Sequence, residues 1–228
     1  NRTRPKNNIG FHEMRPHISY RGFWDFEGFQ ETGFLHVDSH WEWKNGYEIH
    51  TGINFTKEGV KEPFELGGIE IPAATYDHAE AQIVGNTNRG KPVSFSTRIT
   101  AGGFFGGDRF AASNTLNLRF GETFTTQLRY KYNNIDLPHD SLKTNFHTNL
   151  VSLRASYSFT PRIYLQGLIQ YNDSADIWST NLRFGWLQSA NTGLFLVYNE
   201  VQDLDNGLFS INNRSFIVKY SYLFDVFN

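Results

Sequence analysis

The sequence predicts an all-β protein, an antiparallel transmembrane β-barrel of about twelve strands that is complete in itself or part of a larger barrel. Three observations carry this expectation. Apolar and polar side chains alternate with period two along most of the 228 residues, and helical periodicity is absent over any useful length. Aromatic residues on the apolar face gather at both ends of the alternating segments. Tight turns fall at one end of these segments and longer connections at the other.

Taken in order, residues 1–16 read as a polar N-terminal segment or linker, and 17–228 as one barrel domain. The first strand is expected near 17–26, with Trp24 at its outer end. The second (33–44) and third (47–57) meet at Lys44-Asn45-Gly46. If that turn is a three-residue loop with Gly46 left-handed, Trp41 faces Ile49 on one side of the hairpin, and Glu42 faces Glu48 and His40 faces His50 on the other. A two-residue turn would set Trp43 opposite Glu48 and mix the faces. The longest connection, 58–75, precedes the fourth strand (76–87). With Pro63, Gly67-Gly68 and Pro72 it is the segment best suited to fold over or into a barrel mouth.

The fifth (92–106) and sixth (109–120) strands bracket Gly102-Gly103-Phe104-Phe105-Gly106-Gly107, whose glycines read as strand-bend and turn positions rather than a ligand cradle. Gly121-Glu122-Thr123 leads to the seventh (124–136), where Phe124, Leu128, Tyr130 and Tyr132 alternate with Gln127, Arg129 and Lys131. After a connection at 137–145, the eighth (146–159) and ninth (163–173) are joined at Thr160-Pro161-Arg162. In the tenth (176–187), Trp178, Leu182, Phe184 and Trp186 alternate with Ser179, Asn181 and Arg183. The eleventh (192–203) and twelfth (213–226) flank a connection at 204–212. An even strand number places both chain ends on the short-turn, periplasmic rim. Starting at Asn1 without an initiator Met or signal peptide, the sequence reads as a mature chain or a fragment.

Composition excludes several classes. Lys and Arg number 21 against 23 Asp and Glu, a formal −2, so no global field favours nucleic acid. The lack of cysteine removes disulfides, thiolate metal sites and cysteine nucleophiles. No apolar run approaches the roughly 18 residues of a membrane-spanning helix. A barrel is untouched by that test, since half of each strand faces the lumen. A soluble sandwich or lipocalin-like barrel is disfavoured because the polar face is rich in Ser, Thr, Asn and Gln rather than Lys and Glu.

The expected aromatic girdle comprises Trp24, Trp41, Trp43, Tyr47, Phe124, Tyr132, Trp178, Trp186, Tyr222 and Phe224. The polar face carries His36, Asp38, His40, Glu42, Glu48, His50, His78 and Glu80 on early strands, and Arg98, Arg119, Arg129, Lys131, Arg154, Arg183 and Lys219 on later ones. An acidic wall facing a basic wall either forms a cross-strand network that holds a lumen shut or lines a pore, and the network is preferred for so narrow a ring.

Asn54-Phe55-Thr56-Lys57-Glu58-Gly59, Gly102-Gly103-Phe104-Phe105-Gly106-Gly107, Asp136-Leu137-Pro138, Tyr157-Ser158-Phe159-Thr160-Pro161, Gln170-Tyr171-Asn172, Gly193-Leu194-Phe195-Leu196-Val197-Tyr198-Asn199-Glu200 and the run from Arg214 to Phe224 resemble, in order and spacing, the C-terminal part of an outer-membrane family called domain of unknown function 5916. The resemblance implies the outer membrane of a Bacteroidota-type Gram-negative bacterium. Full-length members also carry a carbohydrate-binding family 9-like sandwich, for which this chain has no room. The resemblance implies location and fold more than activity, and the expected role is a structural or anchoring barrel in a cell-surface complex linked to glycan capture. The partners implied are outer-membrane lipid, other surface proteins or an N-terminal part of the same protein.

Chemistry-bearing candidates are few. His40 and His50, with Glu42 and Glu48, form a candidate metal set, because directly opposed strand residues bring their Cβ atoms within about 5 Å. His17 and Ser19, two apart on one face, form a candidate nucleophile–base pair without an evident acid to orient His17. No phosphate loop, zinc-protease helix, nucleophile elbow or dinucleotide fingerprint is present, and no cofactor is expected. Beside the anchoring role stand a porin-like diffusion channel and a lipid- or glycan-directed hydrolase.

Overall fold

Strand pairing follows chain order with one interruption. The computed structural model describes residues 2–4, 10–138, 145–189, 192–205 and 208–224. Among these it has no helix and fourteen strands. They are β1 (Phe11–Trp24), β2 (Gln30–Trp43), β3 (Glu48–Val60), β4 (Phe64–Leu66), β5 (Ile69–Ile71), β6 (Ala74–Asn86) and β7 (Val93–Phe104), followed by β8 (Gly107–Phe120), β9 (Phe124–Asp136), β10 (Asn145–Thr160), β11 (Ile163–Asn172), β12 (Ile177–Ser189), β13 (Thr192–Asp205) and β14 (Leu208–Ser221). Twelve form one sheet in chain order, and β4 and β5 pair only with each other. The chain divides into two compact units, residues 1–114 with 131–148 and residues 115–130 with 149–228.

All twelve expected strands are present, with β1 starting at Phe11 rather than near residue 17. Register at the first tight turn is as expected. Trp41 pairs with Ile49, Glu42 with Glu48 and His40 with His50. Trp43 donates its backbone N–H to the Tyr47 carbonyl at 2.8 Å, and Gly46 takes φ +83°. That backbone region is strained for residues with a Cβ, which is why the turn needs glycine there. At the β10–β11 turn Thr160 pairs with Ile163, leaving Phe159 as an extra residue, and the expected register resumes at Ser158 opposite Tyr164.

The structure departs from expectation in three respects. The sheet is not closed into a barrel, since among the described residues no ladder joins β1 to β14. Closure requires two edges to meet in a compatible register and stagger. In the first unit the outer edge of β1 is already partly taken, because Thr3 and Met14 exchange both backbone hydrogen bonds at 2.9 Å. In the second unit β14 has Ile217 and Val218, on opposite faces, both exposed. Second, connections do not sort cleanly by rim. β7 and β8 are separated only by Phe105-Gly106, and β13 reaches Asp205 before β14 starts at Leu208, so no long connection spans 204–212. Phe105 at φ +47° and Gly106 at φ +82° supply the two left-handed positions that a two-residue hairpin turn demands. Third, the long connection is not plain loop, since it holds the β4–β5 hairpin.

That hairpin builds the only apolar core cluster of the first unit among the described residues. Ile69 and Ile71 are buried with Ile135 and Leu137, and Tyr76, Phe104, Phe105 and Phe146 pack around them. Tyr76 shares a face of β6 with His78 and Glu80, so the hairpin docks on the polar side of the sheet. We expect Ile71→Ala to loosen this hairpin by about 2–4 kcal/mol through lost contacts and a residual cavity. Limited proteolysis should then cut within residues 61–73 while strand signals by circular dichroism stay unchanged, and an uncut hairpin would show that it is held by other means.

The same unit is apolar outside and polar inside. On β3, Ile49, Ile53 and Phe55 are exposed, whereas the intervening Asn54 is buried. On β6, Ile83 is 52% exposed while Glu80 and Gln82 are 6% and 8% exposed. In the second unit both faces are exposed, as Leu182 and its neighbour Arg183 show. Soluble domains reverse the first-unit pattern, since burying unpaired polar groups is costly.

The turn after β1 is tied by Asp25. Its carboxylate accepts backbone N–H groups of Glu27 and Phe29 at 2.9 Å. It also pairs with Lys61, whose ammonium holds the Asp25 carboxyl below the usual carboxylate range, while the carboxylate raises the Lys61 amine.

Candidate functional site

The polar face of β1, β2 and β3 gathers the histidines. The β1–β2 register sets Arg15 opposite His40, His17 opposite Asp38 and Ser19 opposite His36, and the β2–β3 register adds His50 opposite His40 and Asn54 opposite His36. Alternation points all of them to one side of the sheet. A concave space of about 360 Å³ opens there, lined by Ser19, His36, Asp38, His40, His50 and Arg98 among others.

The cluster has two halves hinged on the His40 ring. On one side, His40 Nδ1 stands 3.5 Å and His50 Nε2 2.8 Å from the same Glu48 oxygen, and the two imidazoles stack with centroids 3.6 Å apart. His50 Nε2 is nevertheless buried without a well-aligned hydrogen bond. Arg15 commands this half. Its guanidinium donates to Glu48 at 2.7 Å and Glu13 at 3.2 Å, and lies 3.6 Å from Glu42. On the other side, Asp38 Oδ2 stands 3.2 Å from His36 Nε2 and 3.7 Å from His40 Nε2. The His17 ring centroid lies 5.1 Å from those of both His36 and His40. His36 is steadied from behind, with Nδ1 2.6 Å from Asn54 Oδ1.

Of the metal set expected from sequence, the structure brings His40, His50 and Glu48 together, while Glu42 faces Arg15. It also sets Asp38 opposite His17 in the β1–β2 register, although the ion-pair partners of Asp38 among the described residues are His36 and His40. Among the described residues no hydrogen bond joins Ser19 to His17, so the nucleophile–base pair is not formed.

The rest of the expected network pairs locally. Glu80 takes Arg109, whose Nε donates at 2.9 Å and whose guanidinium lies 4.5 Å above the Phe104 ring. His78 lies beside Phe104, at 6.2 Å between ring centroids. Arg98 donates to Gln82 at 2.6 Å rather than to a carboxylate, and Lys131 is exposed. In the second unit Arg129 reaches Gln127 at 3.4 Å, Arg183 lies 5.2 Å over Phe195, and Arg119, Arg154 and Lys219 are exposed. Glu13, Glu42 and Glu48 therefore meet Arg15, and Glu80 meets Arg109, two arginines the sequence reading missed. Extending the alternation of His17 and Ser19 back by one step would have found Arg15.

The aromatic girdle is present in part. Trp24, Tyr47, Trp186, Tyr222 and Phe224 are exposed, and Trp43, Phe124, Tyr132 and Trp178 are half-buried. Trp178 stacks on Tyr171 at 5.0 Å, whereas Trp41 packs on Phe11 at 5.9 Å with its indole N–H buried and unpartnered. Tyr222 and Phe224 lie past the end of β14 rather than within a strand. A further polar group on the girdle side was not foreseen. Glu200 accepts from Arg214, directly opposite it, at 2.6 Å and also from Tyr198 and Gln202.

These features define a class: an all-β, antiparallel protein built mainly of one large sheet, with no helix among the described residues. Compared with known proteins, the chain matches no family model, no curated protein and no solved structure.

Proposed function

We propose that this chain forms part of the wall of an outer-membrane β-barrel in a Gram-negative bacterium and serves as a structural, anchoring element of a cell-surface complex. The observation that carries this reading is the inverted first unit. Ile18, Val37, Ile49, Ile53, Phe55, Ile83 and Ile99 lie exposed across neighbouring strands, while Asp38, Asn54, Glu80 and Gln82 behind them are buried. So broad an apolar surface is unfavourable in water and suits hydrocarbon. The outer edges of β1, held only at Met14 by Thr3 among the described residues, and of β14 suit a ring completed by further strands of the same protein or of another chain. The resemblance to domain of unknown function 5916 read from the sequence carries the same expectation.

The full chain, folded in detergent and mixed with phosphatidylcholine vesicles, should float with the lipid and resist alkaline carbonate extraction. A folded chain left in the aqueous fraction would reject the membrane reading. A diffusion channel is the second reading, favoured by the polar concave space of about 360 Å³. Anchoring ranks first because the β4–β5 hairpin docks on the polar side, where a channel would need open water.

A further inference from the structure

The other carboxylates described around the histidines have a permanent cation. Glu13, Glu42 and Glu48 share Arg15, and Glu80 has Arg109. Asp38 does not. It is 5% exposed, its ion-pair partners among the described residues are only His36 and His40, and its Oδ1 is buried with no hydrogen bond at all. Gly52 lies directly opposite, where an added Cβ would come within 3.2 Å of the Asp38 Cβ, so the neighbouring strand leaves just enough room for the carboxylate. A buried carboxylate that lacks a fixed cation is costly unless a positive charge joins it.

The groups paired with it or set opposite it on β1 are imidazoles. The ligating atoms of His17, Asp38 and His40 lie within 4.8 Å of one another, the span over which side-chain rotation can bring two ring nitrogens and an oxygen onto one ion. His36 holds Asp38 from the far side and is fixed by Asn54. Such a second contact orients a ligand and raises its affinity for metal. We propose that His17, Asp38 and His40 bind a divalent transition-metal ion of the zinc class. Two nitrogens and one carboxylate suit zinc, nickel or copper, whereas calcium and magnesium select all-oxygen sites. The neighbouring set of His40, Glu48 and His50 is not the site, because the Arg15 guanidinium already neutralises Glu48 and would repel a metal ion at that oxygen.

The ion would supply the missing charge and join β1 to β2 through side chains, as a staple near the β1 edge of the sheet. The three groups leave further coordination positions open toward the concave space, where a small anion or a water molecule fits.

The test is equilibrium dialysis of the untagged, folded full chain against Zn²⁺ alone, with metal quantified per chain and X-ray absorption reporting the ligand atoms. One Zn²⁺ per chain with nitrogen and oxygen ligands is expected. His17→Ala, at an exposed position where folding tolerates change, should weaken it by about 100-fold or more. His50→Ala should leave it within a few-fold, and Ca²⁺ should not compete. Three results overturn the proposal: no stoichiometric Zn²⁺ on the wild-type chain, loss in His50→Ala but not in His17→Ala, or full binding in both variants. Asp38→Asn, which keeps the shape of the side chain, serves as a second variant and must also weaken binding.

Discussion

Ile53→Arg is expected to abolish stable membrane assembly while barely affecting a water-soluble fold. Ile53 sits midway along β3, between Val37 of β2 and Ala81 of β6, with 48% of its surface exposed on the apolar face. In water, an exposed strand position away from caps and buried networks tolerates substitution within about 0.5 kcal/mol. In hydrocarbon, an arginine on the lipid face near the midplane costs about 2–4 kcal/mol. The two environments thus give results of clearly different size for one substitution. Unfolding by urea in vesicles, compared with the chain in detergent, would measure the difference. Ile53→Leu is the volume-conserving control, and equal stability of Ile53→Arg and Ile53→Leu in vesicles would sink the membrane reading.

Arg109→Ala is expected to give the largest loss among the polar-face residues, about 3 kcal/mol. Its partner Glu80 is 6% exposed, so deleting the guanidinium leaves a buried carboxylate with no fixed cation. The loss of the Arg109 stack on Phe104 adds to it. The double variant Glu80→Gln, Arg109→Ala should recover most of the stability, because the unpaired charge goes with it. A double-mutant cycle by urea unfolding reads the coupling directly. Additivity of the two single changes would show that the pair contributes nothing beyond its parts. The contrast with Asp38 is instructive. Glu80 is satisfied by an arginine, whereas the ion-pair partners of Asp38 among the described residues are imidazoles, and that difference singles out the metal site.

Much of the architecture was legible in the sequence because a strand writes its two faces into alternate residues. Val37, Ile53 and Ile83 on one face, and Asp38, Asn54 and Gln82 on the other, were separable without coordinates. The 44–46 turn was legible for the same reason, since only one loop length keeps Trp41 with Ile49 and His40 with His50. The polar N-terminal stretch was misread because Arg15, Pro16 and the residues before them are too polar to announce a strand, although β1 runs through them from Phe11. Tertiary pairing with β2 overrode that local signal.

The candidate site was half legible. Alternation alone put His17, Asp38, His40 and His50 on one face, and the turn fixed His40 against His50. Which carboxylate would find an arginine was not written there, because Glu48 and Asp38 sit at equivalent positions in pattern and differ only in what the neighbouring strand brings. The β1–β2 register, shifted by a bulge after Phe11, delivers Arg15 to Glu48 and leaves His17 facing Asp38. The β4–β5 hairpin was likewise invisible in periodicity, as its three-residue strands are too short to show a period. By itself, then, the sequence determined the antiparallel sheet, its strand order and its two faces, because these follow from period two and short turns. Only the tertiary structure decided that the hairpin docks on the polar side, and that Asp38 is the buried charge without a fixed cation among the described residues, because each depends on contacts between residues far apart in the chain.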